Sequence, residues 1–111
     1  MVTAAPQPDI VDVPAENRFV YRAGDAGGGG EAELVYHLNG HRLVLLHTEV
    51  PDGLAGRGLG GHLVTAALEW AEREGLTIVP WCPFARAWLE RHPGAVGPVD
   101  VDWESTRPAS T

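Results

Sequence analysis

Five glycines crowd the stretch GLAGRGLGGHLV, Gly53 to Val64, between a strand-like run ending at Val50 and a helical pattern opening at Leu59. A chain that passes from strand to helix through glycine must fold the helix back onto the sheet. The amides of the first helical turn then have no partner inside the helix. After the glycines, Leu59, Leu63, Ala66, Ala67, Trp70 and Ala71 recur at the spacing of one helix face, while His62, Thr65, Glu69, Glu72 and Arg73 turn outward. Gly75 suits the position just past the helix end. The short apolar run Leu76 to Val79 follows, and strand, helix, strand in this order implies a right-handed crossover with parallel pairing.

The upstream half predicts antiparallel strands. Glu31 to Leu38 and Arg42 to Val50 flank Asn39-Gly40, the strongest short hairpin signal. A turn centred there sets Leu38 opposite His41, Tyr36 opposite Leu43, Leu34 opposite Leu45 and Ala32 opposite His47. His47 is thereby expected on one face with Leu43 and Leu45, with space above its ring, and Val44, Leu46, Thr48 and Val50 on the other. Asn17 to Ala23 reads as a further strand, and the glycine run 27–30 as a flexible connection. Pro83 suits the first position of a second helix, Phe84 to Arg91, which makes Cys82 its N-cap and Pro93 its stop. Val99, Val101 and Trp103 alternate with aspartates as a last edge strand. The expected fold is α/β: a mostly antiparallel mixed sheet with one parallel junction and two helices. One domain is expected over 17–103, between a proline-bearing loose arm, 1–16, and a disordered tail, 104–111.

Charge narrows the function classes. A formal net charge of −7 argues against nucleic-acid binding, which needs clustered cations. All eight basic residues are arginine, so no lysine Schiff base is available, whereas fixed contacts to a phosphate suit arginine. One cysteine forms no internal disulfide and no CxxC-type zinc site. His37, His41 and His47 lack convergent metal-site spacing, so no metal is expected. No apolar run reaches membrane-spanning length and no secretory leader pattern opens the chain; a cytoplasmic protein without membrane contact is the expectation.

The glycine loop admits several readings. Gly56, Gly58 and Gly61 fit the dinucleotide G-x-G-x-x-G, but no acidic residue ends the Leu76 to Val79 strand to hold a ribose. A Walker A loop needs Gly-Lys-Ser/Thr, which is absent. A third reading is the diphosphate loop of an acyl-coenzyme A enzyme, with backbone amides pointing at the anion and Arg57 adding charge. A fourth is a tight turn whose glycines only let a helix pack closely.

HTEVPDGLAGRGLGGHLVTAALEWAEREGL followed by VPWCPFARAWLERHP resembles the small YjdJ-type branch of the GNAT superfamily of acetyl-CoA-dependent N-acetyltransferases. The superfamily's loop is usually Q/R-x-x-G-x-G/A; Gly58 and Gly60 match it, and Ala55 stands where Gln or Arg is usual. The resemblance implies acetyl-CoA in a V-shaped opening beside the strand ending at Val50. Its pantetheine arm would follow the backbone of His47, Thr48, Glu49 and Val50, and its diphosphate would rest on Gly56, Arg57, Gly58, Leu59, Gly60 and Gly61, with His62 in reach. The same resemblance assigns catalysis to His47 and Cys82. An imidazole suits taking a proton from an attacking amine, and a backbone N–H near Val50 suits polarising the thioester carbonyl. His47 also reads as a sheet histidine satisfied by a neighbour. Cys82 reads as acid, base or nucleophile at a helix N-terminus, or as a small buried hydrophobe. Arg86, Arg91, His92, Trp81 and Trp88 are weaker candidates for the nucleotide or acceptor end. The implied reaction is N-acetylation of a primary amine; the alternative is a non-catalytic CoA-binding or protein-interaction module.

Overall fold

Residues 10–22, 30–54, 56 and 58–105 are described by the computed structural model. Arg57, Ala55, the first nine residues of the arm, Gly27 to Gly29 and residues 106–111 lie outside them. The strands are β1 (Ile10–Val13), β2 (Arg18–Arg22), β3 (Glu31–Asn39), β4 (Arg42–Glu49) and β5 (Thr77–Pro80). The helices are α1 (Leu59–Glu74), α2 (Pro83–Arg91) and α3 (Pro93–Val96). The sheet runs β1-β2-β3-β4-β5, antiparallel except for the β4–β5 junction. This is the mixed sheet with a parallel junction that the sequence implies.

Three of the elements differ from expectation. Ile10–Val13, placed by sequence in the loose arm, pairs along β2, and Tyr36 Oη donates to Asp12 Oδ1 at 2.6 Å. A third helix follows α2, because Pro93 that ends one helix is equally suited to the first position of the next. The expected last strand is reduced to a single parallel bridge, Ile78 with Val101.

Burial and the Asp12 carboxylate both hold the Tyr36 phenol protonated well above its ordinary range. The folded state therefore loses stability as pH rises past the unfolded phenol value of about 10. Tyr36→Phe should cost about 1 kcal/mol at neutral pH, speed amide exchange in β1 and reduce that alkaline loss. Denaturant midpoints at two pH values check it.

The hairpin is shifted by two residues from the predicted register. Asn39 pairs with Arg42, so Gly40 and His41 form the turn. Gly40 has φ +62° and His41 is not in the positive region, the pattern of a II′ turn; the expected Asn-Gly I′ turn needs positive φ at both positions. A shift of two leaves every side chain on its face. The consequential change comes further along. Tyr36 pairs with Leu45 but Val35 pairs with His47, leaving Leu46 as the extra residue of a β-bulge. Beyond the bulge the faces exchange. Thr48 lies opposite Leu34 on the core side, whereas His47 lies opposite Val35 and Glu49 opposite Glu33 on the other. His47 therefore does not share a face with Leu43 and Leu45, and it does not face Ala32.

The core fills the space between the sheet and α1 and α2: Leu34, Leu43, Leu45, Leu63, Ile78 and Leu89 are fully buried. Val64 and Leu68 join the predicted α1 face because α2 packs on that helix as well as the sheet. Trp70 is only partly buried and sets its edge against Phe19 and Tyr36, ring centroids 5.8 and 5.2 Å away. Gly75 closes α1 with φ +68°, as its sequence position predicts. Among the described residues no helix is long and apolar enough to cross a membrane.

Candidate functional site

Two local defects fork the sheet between β4 and β5. Pro80, the last paired residue of β5, has no N–H for the ladder. The next amide, Trp81, turns back to the Val79 carbonyl at 3.0 Å, and Cys82 N–H donates to the Leu45 carbonyl at 2.8 Å. One residue beyond Leu45 the bulge re-aims β4. The register with β5 consequently ends at Leu45 and Pro80, and β4 runs on to Glu49 beyond the end of β5.

Different groups stand on the two sides of this fork. On the core side, Cys82 is buried at the N-cap of α2, where the proline pattern sets it, and its Sγ lies 3.3 Å from Thr48 Oγ1. On the other side, His47 Nε2 lies 3.5 Å from Glu49 Oε1, and both side chains are largely exposed. One ligand-type atom each from Glu33, His47 and Glu49 falls within 4.8 Å of the others. Glu33 also accepts from Arg18 Nη1 at 2.9 Å, so one carboxylate of the trio is shared with an arginine. The bulge thus pairs Cys82 with Thr48 and sends His47 to the opposite side with Glu49. Glu49, expected among cofactor contacts, directs its side chain away from the helices.

The glycine loop opens on a cleft of about 330 Å³. Val50 and Leu54 form one wall, the glycines and Leu59 the floor, and Phe84 and Trp88 of α2 the other wall. The glycines have two distinct duties. Gly56 and Gly58 hold φ +83° and +70°, where L side chains are strained, and a Cβ at either would meet nothing within 4 Å. At Gly60 a Cβ would lie 2.5 Å from Phe84 Cζ, and at Gly61 2.5 Å from Trp88 Nε1. The second pair therefore permits close packing of α2 on α1, and only the first pair leaves bare backbone facing open space.

The start of α1 is uncapped. Gly58 occupies the N-cap and has no side chain to accept a hydrogen bond, and no acidic residue sits in the first turn. Among the described residues, the first α1 amide with a backbone partner is that of half-buried His62, which donates to the Gly58 carbonyl at 3.1 Å. The N–H groups of Leu59, Gly60 and Gly61 lie at the positive dipole end of the helix, where no described side chain caps them. A helix start of this kind is suited to an anion.

The weaker candidates separate. Arg86 donates to the Trp103 carbonyl at 2.9 Å and lies over its ring, and so fastens the C-terminal segment rather than lining the cleft. Arg91 closes the last turn of α2, a surface role. Trp81 lies across the fork from the glycine cleft, its indole N–H donating to Ser105 Oγ at 3.1 Å. Trp88 does line the cleft and is braced by His92, stacked at 4.1 Å. Phe84 went unnoticed in the sequence; its signal is the aromatic stripe Phe84, Trp88, His92 at i, i+4, i+8 along α2.

A family model described as GCN5-related N-acetyl-transferase matches residues 18–96. Protein NATD1 of Gallus gallus and Protein NATD1 of Homo sapiens are each 40% identical to the chain over 63 residues, 56% of its length. The Danio rerio Protein NATD1 is 32% identical over 68 residues, 60% of the chain. These matches span 57%, 56% and 62% of the three relatives, so the chain covers less than two thirds of each. The solution structure of a GCN5-like protein from Staphylococcus aureus superposes with a TM-score of 0.64 at 28% identity, covering 87% of this chain and 93% of that one. The family match runs from β2 through α3 and takes in the hairpin, the fork, the glycine loop and both walls of the cleft: the chain belongs to the GCN5-related N-acetyltransferase family.

Proposed function

We propose that the protein transfers an acetyl group from acetyl-CoA to a primary amine. The observation that carries this reading is the row of amides at Leu59, Gly60 and Gly61, without a hydrogen-bond partner among the described residues, opening beside Gly56 and Gly58 into a cleft that leads to the fork. A diphosphate needs donors, positive potential and close backbone approach; the helix start with its dipole and the bare backbone at Gly56 and Gly58 support the reading. The chain segment Thr48, Glu49 and Val50, beyond the end of β5, is the natural rail for the amide-bearing pantetheine arm. With the diphosphate at α1, the thioester reaches the fork.

There the two sides divide the chemistry. His47 takes a proton from the amine as nitrogen attacks the thioester carbonyl; the new C–N bond forms and the C–S bond breaks. Cys82, bonded to Thr48, is placed on the other side as an accessory acid for the departing sulfur. A main-chain N–H near Val50 serves the carbonyl oxygen. A lone, buried thiol fits a reducing compartment such as the cytoplasm.

Direct transfer without an acetyl-cysteine makes a distinct prediction for Cys82. Cys82→Ser should keep turnover within about tenfold of the parent, since a hydroxyl still bonds Thr48, and no acetylated enzyme should accumulate before amine is added. Intact-mass measurement after mixing with acetyl-CoA alone checks this. A stoichiometric acetyl adduct lost in Cys82→Ser would replace direct attack by a covalent route.

A further inference from the structure

We infer that Glu33, His47 and Glu49 form a site for one divalent ion of the zinc type, and that an ion held there silences His47; the second half rests on the acetyl-transfer reading above. The site comes from strand geometry. His47 and Glu49 stand two residues apart on β4 and share a face beyond the bulge, and Glu33 of β3 is the direct cross-strand partner of Glu49. One donor atom from each lies within 4.8 Å of the others. A tetrahedral zinc ion with bonds of about 2.1 Å holds its donors about 3.4 Å apart, so rotation of the exposed His47 and Glu49 side chains completes the approach. Glu33 meets Arg18 through Oε1, and among the described residues its Oε2 accepts no hydrogen bond. That oxygen is left for an ion while the arginine orients the carboxylate, the usual arrangement around a ligating acid.

Charge supplies the second argument. Glu33 and Glu49 are like charges directly opposite each other across two strands, a pairing that repels. Arg18 does not neutralise them, because Glu16 and Glu31 also draw on it at 2.7 and 3.0 Å, and Arg22 is paired to Glu31 at 2.8 Å. Glu16, Glu31, Glu33 and Glu49 thus share Arg18 and Arg22, an excess of two negative charges that one divalent ion balances. The imidazole decides the kind of ion. A nitrogen donor favours zinc and its transition-metal neighbours over magnesium, which keeps an octahedral shell of oxygens. His47 Nε2, the atom facing Glu49, is also the proposed proton acceptor, so ion and proton compete for one lone pair.

The test titrates zinc chloride into the full chain without CoA and follows the heat and the imidazole ¹⁵N resonances. The expected result is one ion per chain with the His47 nitrogens shifted. Glu49→Gln and Glu33→Gln should each weaken binding by about 10- to 100-fold, since a lost ligand costs at least as much as a lost outer partner. Glu49 is exposed, so its variant keeps the fold and reads the site alone. In turnover with acetyl-CoA and an amine, zinc should inhibit, a chelator should restore the rate, and affinity for CoA should not change. Zinc binding that survives His47→Ala or Glu49→Gln unaltered, or an equal response to magnesium chloride, would overturn the site and leave the acetyl-transfer reading standing. Binding at these three residues that leaves turnover untouched would overturn the silencing, and with it His47 as the base.

Discussion

His47→Ala is expected to lower turnover by about 10²- to 10⁴-fold while leaving affinity for acetyl-CoA within about twofold, the usual size of a lost general base. The separation of the two effects follows from the bulge at Leu46. It turns His47 to the side of the sheet away from the glycine cleft, so the proposed base contributes nothing to the cleft walls. Its exposed position also means that truncation leaves no core cavity, and the midpoint of thermal unfolding should barely move. Turnover at saturating substrates, calorimetric affinity and a melting curve on the same preparation check all three. If affinity falls with turnover, His47 is a binding residue. If the enzyme is untouched, the proton goes elsewhere. Acetyl-CoA binding with no turnover of any amine would favour the non-catalytic module.

Gly58→Ala is expected to weaken CoA binding by about tenfold or more, the equivalent of about one charge-assisted hydrogen bond, with the fold retained. Gly58 sits at φ +70° with nothing within 4 Å of where its Cβ would lie. The methyl clashes with no protein atom; it costs about 1 kcal/mol in backbone strain and occupies the space in which an anion would approach the amides. Valine is a poorer probe, because a β-branched residue in the left-handed region adds strain of its own. Gly61→Ala supplies the contrast. Its Cβ would fall 2.5 Å from Trp88 Nε1, and Trp88 is braced against His92. The overpacking costs about 1–3 kcal/mol, partly offset by better helix propensity, so that variant should lose melting temperature first. Equal affinity loss with equal destabilisation in both variants would mean that the glycines serve packing alone.

The sequence made the local elements legible wherever local chemistry decides them. Asn39-Gly40 announces a hairpin, the spacing from Leu59 to Ala71 a helix with Gly75 as its stop, and Pro83 the start of α2 with Cys82 ahead of it. The junction of Thr77–Pro80 with β4 follows from strand, helix, strand order. What stayed hidden is the bulge. In Leu43-Val44-Leu45-Leu46 every residue is apolar, so nothing in the pattern marks which one is surplus. Strict alternation, however, would aim the His47 imidazole into the leucine core, whereas one extra residue sends it to water and brings Thr48 inward to Cys82. β1 was hidden for a different reason: Pro14, read as a sign of disorder, only ends the strand. The division of glycines between Gly56 and Gly58 on one hand and Gly60 and Gly61 on the other depends on Phe84 and Trp88, more than twenty residues downstream. No local reading reaches that far.

The central claim is that the amides opening α1 hold the diphosphate of acetyl-CoA. Backbone NMR of the ¹⁵N-labelled chain, titrated with CoA and with dephosphorylated pantetheine, tests it directly. The account predicts saturable shifts at the Leu59, Gly60 and Gly61 amides with CoA, and much weaker ones with pantetheine, which lacks the diphosphate. CoA that leaves these three amides unmoved, or pantetheine that moves them equally, would contradict it.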